Sequence, residues 1–326
     1  MSFVAKSLAF DGLLEEFDLL INNFRKLRLK IGKGAPIEST KLWGYRKKLD
    51  DLEKMDEMEV AALIGIVNKY RSINALFDVD SKIIVPQQKL LDLLDGGHTL
   101  ADEDERYNDA FFELAMAIRF AASMGDGVEI DLSTECDVVL CRQKIAIECK
   151  YLHSERKFRH EFSDAIKQLD KRISNGQAEV GYVAYDLTNL VDKVRIFEMA
   201  RSIFDSFAAN YERLEQSRGV FSQNIKEQGL LRSILVNRNF QAIISNFTAH
   251  HLESVFYSNF KKSEMEKLDS EKVAVIFQLS HCLIFEYDNE VIPVPARAMN
   301  YYINDGLPEI RQAEIKKFIH SLAVGI

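Results

Sequence analysis

The sequence predicts a mixed α/β protein whose first hundred residues are helical. Three patterns carry that expectation. Apolar residues recur every three or four positions at the start of the chain, two short apolar strands alternate through residues 136–151, and helix and strand then follow one another up to residue 213.

The N-terminal helix is marked by the stripe Leu13, Phe17, Leu20, Phe24 and Leu27. Further helices are expected over residues 39–58, 59–77 and 87–94, the last ending before Gly96-Gly97. Residues 1–100 show no strand-like alternation and no catalytic constellation, so they read as a recognition or partner-binding module. Their basic residues, from Arg25, Lys26, Arg28, Lys30 and Lys33 to Lys41, Arg46, Lys47 and Lys48, suit either phosphate contacts or a solvated helix face.

Residues 101–124 predict a helix with Tyr107, Phe111, Leu114, Ile118 and Ala121 on its core face. Glu113 is the only polar residue from 110 to 118, and a carboxylate in such company is desolvated unless a positive group meets it. A nearby arginine at the edge of the buried face is the plain alternative to a functional role. Gly125-Asp-Gly127 breaks this helix, and residues 128–132 start the sheet with Asp131 placed before the Ser133-Thr134 turn.

Strands over 136–141 and 144–151 follow, joined by a polar turn at Arg142-Gln143. Side chains alternate along a strand, so Glu148 and Lys150 share a face, and a hairpin carries them toward Asp137. Two carboxylates and one amine at one end of an apolar sheet are costly without partners. A hard divalent cation, Mg²⁺ or Mn²⁺, answers that cost: it takes one or two protein carboxylates, several waters and a substrate phosphate. The lysine would then stand beside the metal-bound water or the scissile phosphate. That is the chemistry of phosphodiester hydrolysis. A solvated edge strand with Glu148 and Lys150 facing water is the bland reading.

Residues 154–173 predict a helix with Phe158, Phe162, Ala165, Ile166, Leu169 and Ile173 inward. Arg156, His160, Lys167 and Lys171 lie on the opposite side, a stripe that suits a nucleic-acid backbone or plain solvent, and Gln168 sits at the boundary. A buried strand over 178–186 and a helix over 190–213 come next. Beyond them the pattern is less legible: a helix over 249–268, then strands at 273–279, 282–287 and 291–294 as a meander that turns at Asp288-Asn289.

Asp137, ten intervening residues and then Glu148-Cys149-Lys150 on an apolar strand resemble the PD-(D/E)XK nuclease core. That superfamily holds restriction endonucleases, archaeal Holliday-junction resolvases and RecB-type nuclease domains. The resemblance spans about residues 101–213, and it departs at the proline position, where Cys136 stands. It implies a restriction endonuclease-like fold, a mixed sheet flanked by helices, with residues 101–326 as the nuclease domain and its C-terminal α/β extension. It also implies roles. Asp137 and Glu148 would bind the metal, Cys149 would offer its backbone carbonyl and Lys150 would assist catalysis. Glu113 would join the metal site, and Gln168 would support it or touch the substrate backbone. Asp80-Ser-Lys82 and Glu314-Ile-Lys316 share the acid-x-Lys spacing but lack this context: the first has no strand-borne aspartate upstream, and the second lies in a polar, helix-like stretch.

Composition limits the partners. Lys+Arg 42 against Asp+Glu 50 gives a net charge of −8, so nucleic acid would have to meet a local basic surface rather than the bulk charge. Cys136, Cys141, Cys149 and Cys282 show no CxxC spacing and read as reduced thiols. The acidic N-terminus excludes an apolar leader, and the longest apolar run, near residues 61–67, is too short for a membrane span, so a cytoplasmic protein is expected. His250-His251 and His281 lack a zinc-site pattern, and no phosphate-binding loop is present. The expected function is a Mg²⁺-dependent endonuclease acting on DNA, in antiviral defence or DNA repair, restrained by a helicase or ATPase partner, with a second copy of the chain in a homodimer as another expected partner. The alternative is a catalytically inactive protein of this fold that binds nucleic acid or protein.

Overall fold

In the computed structural model, which describes residues 10–32, 36–78, 82–100, 105, 107–124, 128–217 and 219–322, the first apolar stripe becomes α1 (Phe10–Ile31). Leu13, Phe17, Leu20, Ile21 and Phe24 are buried along it. The expected helix over 39–58 is shorter, α2 (Lys41–Leu49), and the next is α3 (Glu57–Arg71). Asp56 accepts from Glu59 N at 2.8 Å while Glu59 Oε2 accepts from Asp56 N at 3.1 Å, a reciprocal cap that sets the α3 start and separates it from α2. α4 (Gln87–Asp92) follows.

The strand-free reading of residues 1–100 is corrected here. Ile83–Ile84 form β1, an edge strand parallel to β2 (Ile130–Asp131). Two residues are too few to show alternation, and the pairing partner lies far along the chain, so the element had no local signature. Between them α5 (Tyr107–Met124) carries the expected core face; residues 101–104 and 106, and the Gly125-Asp-Gly127 break, lie outside the described residues.

Antiparallel strands β3 (Val138–Leu140) and β4 (Ile145–Tyr151) come next. Their turn is longer than Arg142-Gln143: Leu140 pairs with Ile145, leaving residues 141–144 to make it, with Lys144 at φ 52°. α6 (Phe158–Ser174) crosses back to β5 (Val180–Asp186), which lies parallel to β4. Parallel neighbours need such a crossover. Gly181 allows a close approach, since a Cβ there would meet Leu169 Cδ1 at 2.9 Å. α7 (Lys193–Glu215), α8 (Val220–Gln228), α9 (Leu230–Leu235), α10 (Arg238–Asn259) and α11 (Lys262–Met265) precede two long strands.

The expected C-terminal meander is a single hairpin. β6 (Lys272–Tyr287) runs unbroken through Ser280-His281, because both residues stay in the ladder opposite Arg297 and Ala296 of β7 (Glu290–Ile303). Asp288 and Asn289 turn it with φ 50° and 63°, the left-handed geometry that Asp and Asn tolerate. Pro293 and Pro295 fit because β7 is an edge strand. α12 (Glu309–Leu322) closes the chain against α5, with Phe318 stacked on Phe120 at 5.6 Å.

The result is a mixed α/β structure with a seven-stranded sheet in the order β1-β2-β3-β4-β5-β6-β7. One face is covered by α1, α3, α5 and α12, and the N-terminal helices share that core with Ile147, Cys149, Tyr182 and Ile276 of the sheet. α6, α7 and α10 cover the other face through Phe162, Leu169, Phe204 and Phe256, packed on Val183, Tyr185 and Phe277. β4 is therefore buried on both sides, which explains its near-continuous apolar run. Glu148 interrupts it.

Candidate active site

Where β3 gives way to the bend before it, β4 continues, and the Cys149 N–H loses its ladder partner. Asp137 supplies one: its Oδ2 accepts from Cys149 N at 2.8 Å. The carboxylate thus lies in the plane of the sheet, extending the ladder past the end of β3. Glu148 projects from β4 toward the α6 layer with 1% exposure, and its Oε1 has no hydrogen-bond partner among the described residues. Lys150, two residues on, points the same way. Its Nζ stands 3.9 Å from Glu148 Oε2 and donates to Gln168 Oε1 of α6 at 2.9 Å.

Glu113 reaches the same place from the opposite layer. It pairs with Lys89 of α4, not with an arginine, and still feels the charges of Asp137 and Lys150. Burial, and then the Asp137 charge, pushes the Glu113 carboxyl up to about 7 and the Glu148 carboxyl up to about 8. Burial and the charges of Asp137, Glu113 and Glu148 hold the Cys149 thiol well above its usual range. Asp137, Glu148 and Lys150 are therefore brought together, with Gln168 on the lysine, while Glu113 is paired with Lys89 and linked to them through the charges of Asp137 and Lys150.

Five neighbours carried no sequence signal. Arg172, buried on α6, donates from Nη1 to Glu135 Oε2 and from Nη2 to Glu135 O, both at 2.5 Å, and its Nε lies 3.9 Å from Glu148 Oε1. Lys89 meets Glu113, and on the outer side His153 Nε2 lies 3.7 Å from Asp109 Oδ1. Each of these pairings is tertiary, and only the apolar company of Glu113 hinted that a cation must exist.

The basic stripe is largely answered by acids. His160 Nδ1 lies 3.2 Å from Asp164 Oδ2, and Lys167 Nζ donates to Asp164 Oδ1 at 3.2 Å. Lys171 Nζ donates to Glu135 Oε2 at 3.2 Å. Arg156 precedes α6, in a short turn of 3₁₀-helix at Glu155–Lys157 that follows the extended Ser154, so it does not belong to the helix face. In the N-terminal region Arg25 pairs with Glu38 at 2.9 Å, and Arg46 with Asp18 and Asp50, each at 2.7 Å.

The other acidic candidates stand apart. Asp131 Oδ1 accepts from Ser133 N at 2.7 Å and from Ser133 Oγ at 2.6 Å, a local turn at the end of β2. Glu314 pairs with Arg311 at 3.2 Å on α12, and Asp80 lies outside the described residues.

Among the described residues no group of three or more His, Cys, Asp and Glu side chains is placed to hold a metal ion. Asp137 and Glu148 form a pair, whose crowding appears in the raised Glu148 carboxyl and the unsatisfied Oε1. Such a pair fits a hard cation that fills its remaining positions with water and phosphate. Among the described residues no helix is long and apolar enough to cross a membrane. No protein-family model, no curated protein and no solved structure matches the chain.

Proposed function

We propose that the protein is a metal-dependent nuclease that hydrolyses phosphodiester bonds, with DNA as its substrate. The observation that carries this reading is the convergence of Asp137, Glu148 and Lys150 where β3 ends beside β4, with the lysine ammonium held by Gln168. The succession α5-β2-β3-β4-α6-β5 supports a restriction endonuclease-like core.

Asp137 and Glu148 would hold Mg²⁺ or Mn²⁺ together with the Cys149 carbonyl, with Glu113 as a further carboxylate of the site. When bound, the ion supplies Lewis acidity and an activated water. The chain's own contributions are distinct. Glu148, crowded by Asp137 and burial, gains charge stabilisation from any cation placed between them. Lys150 is 16% exposed, so its ammonium can meet a phosphate oxygen while Gln168 fixes its direction. The α6 lysines are shared with Asp164 and Glu135, which leaves little free basic surface. That deficit favours a helicase- or ATPase-type partner that presents the nucleic acid.

The same deficit also favours the second reading, a protein of this fold that binds without cleaving. Plasmid nicking with and without Mg²⁺ separates the two. Nicking that requires the ion and is lost in Glu148→Ala supports the nuclease; absence of nicking with Mg²⁺ and with Mn²⁺ overturns it.

A further inference from the structure

Gln168 and Arg172 stand one turn apart on α6, on the side that faces β3 and β4. Gln168 holds Lys150. Arg172 holds Glu135, and Glu135 is two residues before Asp137 in the bend that delivers the in-plane carboxylate. The guanidinium takes that bend at two points, the Glu135 side chain and its main-chain carbonyl, each at 2.5 Å. Its third edge, Nε, faces Glu148 Oε1 across 3.9 Å, and both atoms are buried without a hydrogen-bond partner among the described residues.

We infer that Arg172 is a positioning residue of the site, clamping the Asp137-bearing bend to α6 and giving Glu148 a fixed countercharge, so that one face of one helix registers both halves of the catalytic set. The inference rests on the nuclease reading. Arg172 is too buried to touch a substrate, so its effect passes through Asp137 and Glu148. The geometry needs a planar fork with donors in three directions, which lysine lacks although it keeps the charge. Removing the Glu135 side chain breaks half of the clamp and leaves the Arg172 charge in place. Glu135 is well exposed, so its loss threatens the fold less than loss of Arg172 does.

The test uses the full chain: nicking kinetics over a Mg²⁺ series for the parent, Glu148→Ala, Glu135→Ala, Arg172→Lys and Arg172→Met, each with its Tm. Partners that orient metal ligands are worth about 10–100-fold in metal affinity or activity. Glu135→Ala and Arg172→Lys should therefore need about tenfold more Mg²⁺ for half-maximal rate, or lose about tenfold in kcat. KM for plasmid should stay unchanged, and Arg172→Met should lose more. The inference is overturned, with the nuclease reading intact, if the parent cleaves and both milder variants keep its kcat and its Mg²⁺ midpoint. It is overturned equally if they lose only Tm while the Mg²⁺ midpoint and the kcat of the folded fraction hold. A parent that never cleaves, or one that Glu148→Ala leaves undiminished, removes the nuclease reading and this inference together.

Discussion

Two buried polar clusters lie on opposite faces of the same sheet, and they are built to opposite sign. Toward α6, Asp137 and Glu148 crowd each other, Arg172 and Lys150 stand near, and Lys150 reaches the surface. Toward α5, Arg119 is 6% exposed, its Nε and Nη1 have no hydrogen-bond partner among the described residues, and it feels Arg297 and Asp186. Asp186 is already engaged, accepting from Gln278 Nε2 at 2.7 Å and from Thr188 N at 2.9 Å. Burial, and then the Arg297 charge, holds the Arg119 guanidinium well below its usual range. The contrast shows that charge burial alone does not mark a site. The first cluster crowds two carboxylates beside a lysine that is 16% exposed; the second encloses a cation in a packed core, where it costs stability.

The largest test of that contrast is catalytic. Glu148→Ala and Lys150→Ala should each lower the cleavage rate by a factor of about 10²–10³ or more, as removal of a group acting in the transition state does, and leave binding of duplex largely intact. Arg119→Met should cleave at the parent rate. Parallel nicking and binding assays check this, and an equal loss in Arg119→Met would mean that both clusters serve the chemistry.

Metal-free stability should follow the acidic cluster through pH. The folded-state carboxyls of Glu148 and Glu113 lie at about 8 and about 7, above the ordinary 4.5, so the folded protein binds more protons than the unfolded chain. Their stabilising contribution is full below the ordinary value and is lost as pH rises through the raised values. Tm in chelator should therefore fall between about pH 6.5 and 8.5, by the equivalent of a few kcal/mol at most, and Glu148→Gln should flatten the fall. His281 adds little in this window, because burial holds its imidazole down to about 4. A Tm that rises over this range would contradict the crowding of Asp137 and Glu148.

The basic cluster makes a prediction of opposite sense. Replacing buried ionic groups by apolar ones of similar volume is often neutral or stabilising by about 1–4 kcal/mol. Arg119→Met should accordingly raise Tm by a few degrees, read by calorimetry. A large drop would show that the guanidinium is satisfied by a group or bound ion that the described residues do not include.

Legibility in the sequence follows the range of the interactions. Glu148 and Lys150 were visible because strand alternation is local and a charge on an apolar strand stands out; Glu113 was visible for the same reason on a helix. The mixed α/β class and most of the elements from 107 to 215 followed from periodicity. Arg172 was not visible, since Lys171-Arg172 reads as a solvated pair until the bend at Glu135 is folded against it. Nor was Lys89, β1, or the union of 273–287 into one strand, all of which depend on partners distant in the chain.

The smallest effect concerns how an acidic protein would hold a polyanion, and it asks whether the face of α6 beyond the Asp137–Glu148 cluster takes part. Each phosphate contact contributes roughly 0.7–0.9 to the slope of log affinity against log salt. Lys167 and Lys171 are exposed, but each already donates to a carboxylate, Asp164 or Glu135. Their joint replacement by Ala in a Lys150→Ala background should flatten the slope by about one contact's worth rather than two. Asp164→Asn should act oppositely, since it frees Lys167 and His160 together and should steepen the slope by up to about one contact. Binding to duplex across a salt series measures both. If neither variant moves the slope, α6 faces water and any phosphate contacts come from elsewhere. Lys26, Arg28, Lys47 and Lys48 are then the residues to replace, because Arg25 and Arg46 beside them are taken up by Glu38, Asp18 and Asp50.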